Sequence, residues 1–228
     1  RDLHNVAHSF PTRRSSGLCV TAVDSGRVVA SLNDGQSFVM ASTAKIVTSL
    51  AALHLLGLQW RWRTQAFVTG PVIKGRLLGD LLIVGGGDPR LGAAELRQWL
   101  QRLHDGGVHD VRGDLVVDRS AFHLQEQDHA GTPPPGPDRP HHARPDALAL
   151  AEPGAAPLDA AALGRLWREL GGRLGGRARE GDLSGGRLDQ PRLPLLGPDG
   201  DPLPPLATLR SPPLPEVVHE INKTSDNV

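Results

Sequence analysis

An α/β fold is what this sequence predicts, and three observations carry the prediction. The stretch "LCVTAVDSGRVVASLND" alternates apolar and polar residues around Asp24, Ser25 and Gly26, the pattern of a β-hairpin closed by a Ser-Gly turn. After "DGQSFVM" the apolar spacing becomes helical, with Ile46, Leu50, Leu53 and Leu56 on one stripe that stops at Gly57. Strand-like pieces and an amphipathic helix then follow one another, as they do in mixed α/β domains.

Taken in order, residues 1–17 show no periodicity and precede the hairpin. Beyond the first helix, "RTQAFVTG" and "GRLLGDLLIVGGGDP" read as strands, the second ending in a glycine cluster. A helix is expected from about Gly92 to Leu103, with Leu96, Trp99, Leu100 and Leu103 on its apolar face. "VRGDLVVDRSAF" reads as a further strand. Between Gly131 and Pro215 the composition shifts to Pro, Gly and Arg, which predicts loops and weakly specified structure, interrupted by the helical segment "LDAAALGRLWRELGGRL". The closing "LPEVVHEINKTSDNV" has the pattern of a short helix or turn. No internal repeat is evident.

Composition narrows the function classes. The chain has 228 residues, 39% of them hydrophobic, enough for an ordinary globular core. Lys+Arg and Asp+Glu both total 25, so the electrostatic footprint of a nucleic-acid or anionic-membrane binder is missing. Nucleic acid is therefore not an expected partner, and membrane association is at most peripheral. Cys19 is the single cysteine, which excludes an intramolecular disulfide and a cysteine-based zinc site. No apolar run reaches the roughly 18 to 20 residues of a membrane helix. The first residues show no secretory signal pattern.

Two short patterns carry chemistry. Ser42 falls at or just before the first helix and Lys45 within its first turn, and side chains three apart on a helix are neighbours. Serine is a poor nucleophile unless a base lies within hydrogen-bond reach. Lysine serves as that base only if its pKa falls well below about 10.4, through burial or a nearby positive charge. Ile46, Val47 and Met40 are the apolar residues expected to bury it. The helix N-terminus adds partly positive N–H groups that favour developing negative charge. Helix capping by Ser42, with Lys45 solvated, is the plainer reading of these two residues alone. Near the end, "NKTSDN" places Ser225, Asp226 and Asn227 in a triplet after Lys223. Ser225 and Asn227, two apart in an extended or looped segment, point the same way and offer a hydroxyl and a carboxamide to one site. Alone, the triplet is a turn. Ser-x-x-Lys followed by Ser-Asp-Asn is the order of the first two of three elements in β-lactamases and penicillin-binding proteins.

At this point the sequence resembles a family. "VMASTAKIVTSLAALHLLG", "GDLLIVGGGDPRL", "VRGDLVVDRSAF", "RPHHARPDALAL" and "HEINKTSDN" look like successive blocks of the D-alanyl-D-alanine carboxypeptidase/endopeptidases, the class C low-molecular-mass penicillin-binding proteins. The resemblance runs from about Leu18 to the last residue and is weakest between Pro153 and Leu209. It implies a transpeptidase domain like that of penicillin-binding proteins and serine β-lactamases, built from residues 18–63 and 211–228. Residues 64–210 would be a large inserted region of mixed strands and helices, and residues 1–17 a non-family or artefactual segment.

The resemblance also implies roles. Ser42 would be the nucleophile that acylates on a peptidoglycan stem peptide, with its backbone N–H in the oxyanion hole. Lys45 would take its proton, Ser225 would pass a proton to the leaving amine, and Asn227 would bind the substrate amide. β-Lactam antibiotics would acylate Ser42. No cofactor or metal is implied, and the location would be periplasmic or extracellular. The third element, Lys-Thr-Gly, is absent, since Lys74-Gly75 lacks the threonine and Lys223-Thr224-Ser225 the glycine. The expectation is therefore a C-terminally truncated chain, inactive as it stands, whose sheet has an open edge. A serine β-lactamase is the same-fold rival, opposed by the long insert between Ser42 and Ser225. A non-catalytic cell-wall binding module is the other, opposed by the retained Ser42, Lys45, Ser225 and Asn227.

Two further features read as structural. "GGGDP" lacks the spacing of a phosphate-cradling loop and is expected to be a tight turn. His104, Asp105, His109 and Asp110 form a helix C-terminus running into a Gly-Gly turn, with histidine favourable at the negative end of the dipole. His141 and His142 are adjacent, which turns their side chains apart, so no metal site is expected from either group.

Overall fold

The computed structural model describes residues 17–37, 41–122, 146–151, 158–183 and 201–224. The chain divides into two compact units, Arg1–Leu50 and Ala51–Val228.

In the first unit the expected hairpin is present. β1 (Leu18–Thr21) pairs antiparallel with β2 (Val28–Leu32), with Leu18 opposite Leu32 and a bulge at Thr21. Gly26, at φ 67, closes the turn by donating its N–H to the Ala22 carbonyl at 2.9 Å. A 3-10 turn at Ala41–Thr43 leads into α1 (Ala44–Leu56). The helix stops at Gly57, whose φ of 81 is a left-handed conformation that glycine adopts without Cβ strain.

The expected apolar stripe of α1 does not behave as a core. None of the helix residues is buried, and Ile46 and Leu50 are 61% and 63% exposed. The stripe meets no packed layer among the described residues.

The second unit is a twofold βαβ winding. β3 (Arg63–Val68), β6 (Leu81–Val84), β8 (Leu115–Asp118), β10 (Ala178–Glu180) and β11 (Ala207–Arg210) form one sheet in the order β10-β8-β6-β3-β11. β6, β8 and β10 are parallel, joined by α2 (Ala93–Asp105) and α3 (Ala160–Glu169), whereas β3 runs antiparallel to both β6 and β11. A smaller sheet runs β4 (Val72–Ile73), β5 (Arg76–Leu77), β7 (Asp110–Val111), β9 (Arg173–Leu174).

Alternation along the strands decides the packing. Ala66, Leu81, Ile83, Leu115 and Val117 join the buried faces of α2 and α3, which include Leu96, Trp99, Leu100, Leu163 and Trp167. The intervening Phe67, Leu82, Val84 and Val116 pack on the other face of the sheet with Leu183 and Leu203. Asp159 caps α3 by accepting the Ala162 N–H at 2.7 Å, in line with the preference for Asp before a helix.

Two expectations need correction. The region between Gly131 and Pro215 holds three strands, β9, β10 and β11, besides α3. β10 and β11 form the two edges of the main sheet, where the polar sequences Ala-Arg-Glu and Ala-Thr-Leu-Arg satisfy one strand neighbour each.

An internal repeat also exists, in structure. Each strand pair β5–β6, β7–β8 and β9–β10 is one chain segment bent midway, and the three bends stack. Gly113 N–H donates to Gly79 O, and Gly176 N–H to Gly113 O, both at 2.9 Å. Alongside, Asp114 N–H donates to the Asp80 carboxylate at 2.7 Å and Arg177 N–H to the Asp114 carboxylate at 2.9 Å. The stack leaves no room for side chains at the glycines: a Cβ on Gly113 would lie 2.1 Å from Asp80 Oδ1 and 2.7 Å from Gly79 O.

Candidate functional site

Ser42 lies in the 3-10 turn and is exposed; Lys45 is the second residue of α1 and is half-buried. Three residues of tightly wound chain bring them together, and Lys45 Nζ donates to Ser42 Oγ across 3.4 Å. The contact is longer than the usual N–H···O range. No acidic side chain stands in the first turn of α1. The apolar enclosure expected from Ile46 and Val47 is not built by them: they are 61% and 58% exposed. Met40 lies outside the described residues, and so do Ser225, Asp226 and Asn227.

What is described is the chain leading to that triplet. α4 (Leu214–Thr224) ends one residue before Ser225, and it buries Leu214 and Val217. Its start is stitched to the segment that follows α1. Ser211, only 1% exposed, accepts the Trp62 N–H on its hydroxyl at 3.0 Å and donates that hydroxyl to the Pro212 carbonyl at 2.6 Å. Its own N–H donates to Trp62 O at 3.1 Å, its carbonyl accepts from Arg61 Nη1 at 2.7 Å, and Leu214 N–H donates to Trp60 O at 2.9 Å. Farther along α4, Glu220 pairs with Arg90 at 3.6 Å. Between them lies a groove of ≈ 400 Å³ lined by Arg90, Pro212, Glu216, His219 and Glu220.

The glycine cluster is a packing joint. A Cβ on Gly86 would fall 2.0 Å from Arg63 O, so only glycine lets these backbones meet. Gly85 N–H donates to Asp118 O at 2.9 Å and Gly87 N–H to Ala147 O at 2.8 Å. Asp88 follows, accepting the Arg90 N–H at 2.9 Å. Burial pushes the Asp88 carboxyl above its ordinary value, against the lowering effect of that hydrogen bond. Arg119 closes the same corner as a bidentate partner of Asp146, with Nε 2.9 Å from Oδ1. Three of the sequence blocks quoted above thus meet at this one place.

Ser211, Asp114 and Arg119 are the residues that sequence reasoning passed over. Ser211 sits in "LRSPPLP", which reads as a loop, and its burial follows only from pairing with Trp62 across the fold. Asp114 looks like an ordinary turn residue, yet its carboxylate is held below the usual range by the Arg177 N–H and then by the Arg179 side chain at 2.6 Å. Among the described residues no group of three or more histidine, cysteine or carboxylate side chains is placed to hold a metal ion. None of the described helices is long and apolar enough to cross a membrane.

The α/β chain carries a Ser-x-x-Lys pair at the head of an apolar helix, a pattern shared with penicillin-binding proteins and serine β-lactamases. Residues 1–162 match the D-Ala-D-Ala carboxypeptidase 3 (S13) family, and the chain belongs to that family. The matched span takes in residues 1–17, which the sequence blocks leave outside, and ends before the Ser-Asp-Asn triplet.

Among characterised relatives, D-alanyl-D-alanine carboxypeptidase DacB of Haemophilus influenzae is 28% identical over 121 residues, 53% of this chain and 25% of that protein. A D-alanyl-D-alanine carboxypeptidase of an Actinomadura species is 35% identical over 108 residues, 47% of this chain and 20% of that protein. The crystal structure of penicillin binding protein 4 (dacB) from Haemophilus influenzae aligns with a TM-score of 0.71 at 21% identity, over 92% of this chain and 59% of that one. Its complex with a β-lactam aligns at 0.66, over 96% and 59%. The likeness shows a penicillin-binding-protein-like fold. The chain spans about a quarter or less of the curated relatives' length and 59% of the solved structure's, less than two thirds of each.

Proposed function

We propose that the protein is a serine D-Ala-D-Ala carboxypeptidase/endopeptidase that works on peptidoglycan stem peptides through an acyl-enzyme. The observation that carries this reading is the Lys45 Nζ to Ser42 Oγ contact of 3.4 Å at the start of α1, in a chain of this family. Ser42 Oγ attacks the carbonyl of the scissile D-alanyl bond while its proton passes to Lys45 Nζ, which acts from its neutral form. In this reading the Ser42 backbone N–H donates to the developing oxyanion. Collapse of the tetrahedral species breaks the C–N bond, and the leaving D-alanine nitrogen takes a proton through Ser225. Asn227 holds the substrate amide. Water then attacks the ester, with Lys45 again taking a proton, and Ser42 is released.

β-Lactams acylate Ser42 in the same reading, since a β-lactam is bound by the related penicillin binding protein 4. Residues 18–63 and 211–228 form the transpeptidase part and residues 64–210 the insert. Peptidoglycan as substrate places the protein in the periplasm or outside the cell. The test is D-alanine release by the full-length product of the gene and by its Ser42→Ala variant. Release that persists in Ser42→Ala overturns the assignment.

A further inference from the structure

The clearest cluster of ligating side chains outside the site above lies where α2 ends. His104 is in the last turn of α2, and His109 follows the Gly106-Gly107 turn immediately before β7. The turn folds the second histidine back on the first, so that His109 Nδ1 stands 3.3 Å from His104 Nε2. Their rings meet edge to face, with centroids 4.5 Å apart and planes at 67°.

The geometry points to a two-histidine site for a divalent transition-metal ion, bound between His104 Nε2 and His109 Nδ1, with Asp105 orienting His104. Two nitrogens bound at ~2.0 to 2.1 Å from one ion at a tetrahedral angle are about 3.3 Å apart, the N···N distance of the pair, and the rings, with centroids 4.5 Å apart, turn outward to aim both lone pairs at the ion. Asp105 Oδ1 lies 3.3 Å from His104 Nδ1 and so fixes the proton on that nitrogen, leaving Nε2 with its lone pair. Without an ion, His109 donates its Nδ1 proton into that lone pair. With one, the His109 proton moves to Nε2, both imidazoles stay neutral, and the cation takes the place of the shared hydrogen.

Both ligands are held by the fold before any ion arrives, which lowers the ordering cost of binding. Leu100 and Leu103 anchor the end of α2 in the core, and the His104 ring leans on Trp167 with centroids 6.1 Å apart. The backbone of His109 is pinned on both sides, its N–H donating to Gly75 O at 2.9 Å and its carbonyl accepting from Arg173 at 2.8 Å. His109 is exposed, so an ion has access from solvent. Asp110 is engaged by Arg76 and Arg112 at 3.7 and 3.3 Å and is not a ligand. With two protein donors, water completes the coordination. Imidazole donors favour copper(II) over nickel and zinc and discriminate against magnesium.

The chain has ten histidines, so the test is a difference between variants. Copper(II) and zinc are titrated into the parent chain and into His104→Gln, His109→Gln and Asp105→Asn at neutral pH, by calorimetry and by copper broadening of amide NMR signals. The parent is expected to bind one copper ion more than either glutamine variant, with broadening centred on Gly75, Val108 and Gly171. Asp105→Asn should keep that ion with roughly tenfold weaker affinity. His109 is exposed, so if His104→Gln fails to fold, His109→Gln decides alone. Equal stoichiometry and affinity in parent and His109→Gln, broadening centred elsewhere, or equal binding of magnesium would each overturn the site.

Discussion

Removing the buried Ser211 hydroxyl deprives the N–H of half-buried Trp62 of its acceptor. A hydrogen bond of this kind contributes about 0.5 to 1.5 kcal/mol, so Ser211→Ala should lower unfolding stability by roughly that much in a denaturant titration. Asp114 and Asp88 have opposite pH signatures. Asp114 has its pKa lowered, so its contribution is present above the ordinary carboxylate range and is lost as pH falls through its lowered value. Asp88 has its pKa raised, so it favours the folded state in acid and ceases to do so as pH rises through its raised value. Stability measured against pH should therefore lose part of its acid decline in Asp114→Asn. In Asp88→Asn stability should be maintained or improved at neutral pH, because the amide oxygen still accepts the Arg90 N–H. An unchanged acid limb in Asp114→Asn would contradict the role given to its two arginine partners. At this scale the sequence disclosed Ser42 and Lys45, because helical spacing alone makes them neighbours. It concealed Ser211 and Asp114, whose partners lie far along the chain.

Among the elements, α1 and α2 are both apolar-striped helices of the same length, and they differ in what covers them. α2 buries Leu96, Trp99, Leu100 and Leu103 against the sheet, whereas α1 buries nothing. Leu100→Ala should cost about 2 to 5 kcal/mol. Leu50→Ala, on a side chain 63% exposed, should stay within roughly 0.5 kcal/mol in this chain. Similar losses for the two would show that α1 is packed after all. Periodicity located both helices, since helix ends are written in local sequence, but it could not say which stripe meets a partner. The edge strand β10 escaped notice for a related reason. Ala-Arg-Glu has no alternating apolar pattern, and only pairing with β8 makes it a strand.

For the molecule as a whole, the organising device of the larger unit is the stack of three bent strand segments around α2 and α3. The Gly-Asp bends at Gly79-Asp80 and Gly113-Asp114 recur as Gly176-Arg177, and this last change of residue hides the repeat in the sequence. Gly113→Ala would push a methyl group into Asp80 and the Gly79 carbonyl, so this variant should be strongly destabilised or fail to fold. The α/β class and the family blocks were legible because they are local patterns in a fixed order. The stacking was not, since it joins three segments separated by whole helices.

The functional reading rests on Ser42 as the acylated nucleophile. It is tested most directly by intact-mass labelling with a fluorescent penicillin, run on this chain, on the full-length product of its gene and on the full-length Ser42→Ala variant. The full-length protein should gain one adduct, mapped to Ser42 and absent from Ser42→Ala. A folded full-length protein that takes no label, or a label that survives in Ser42→Ala, would contradict it.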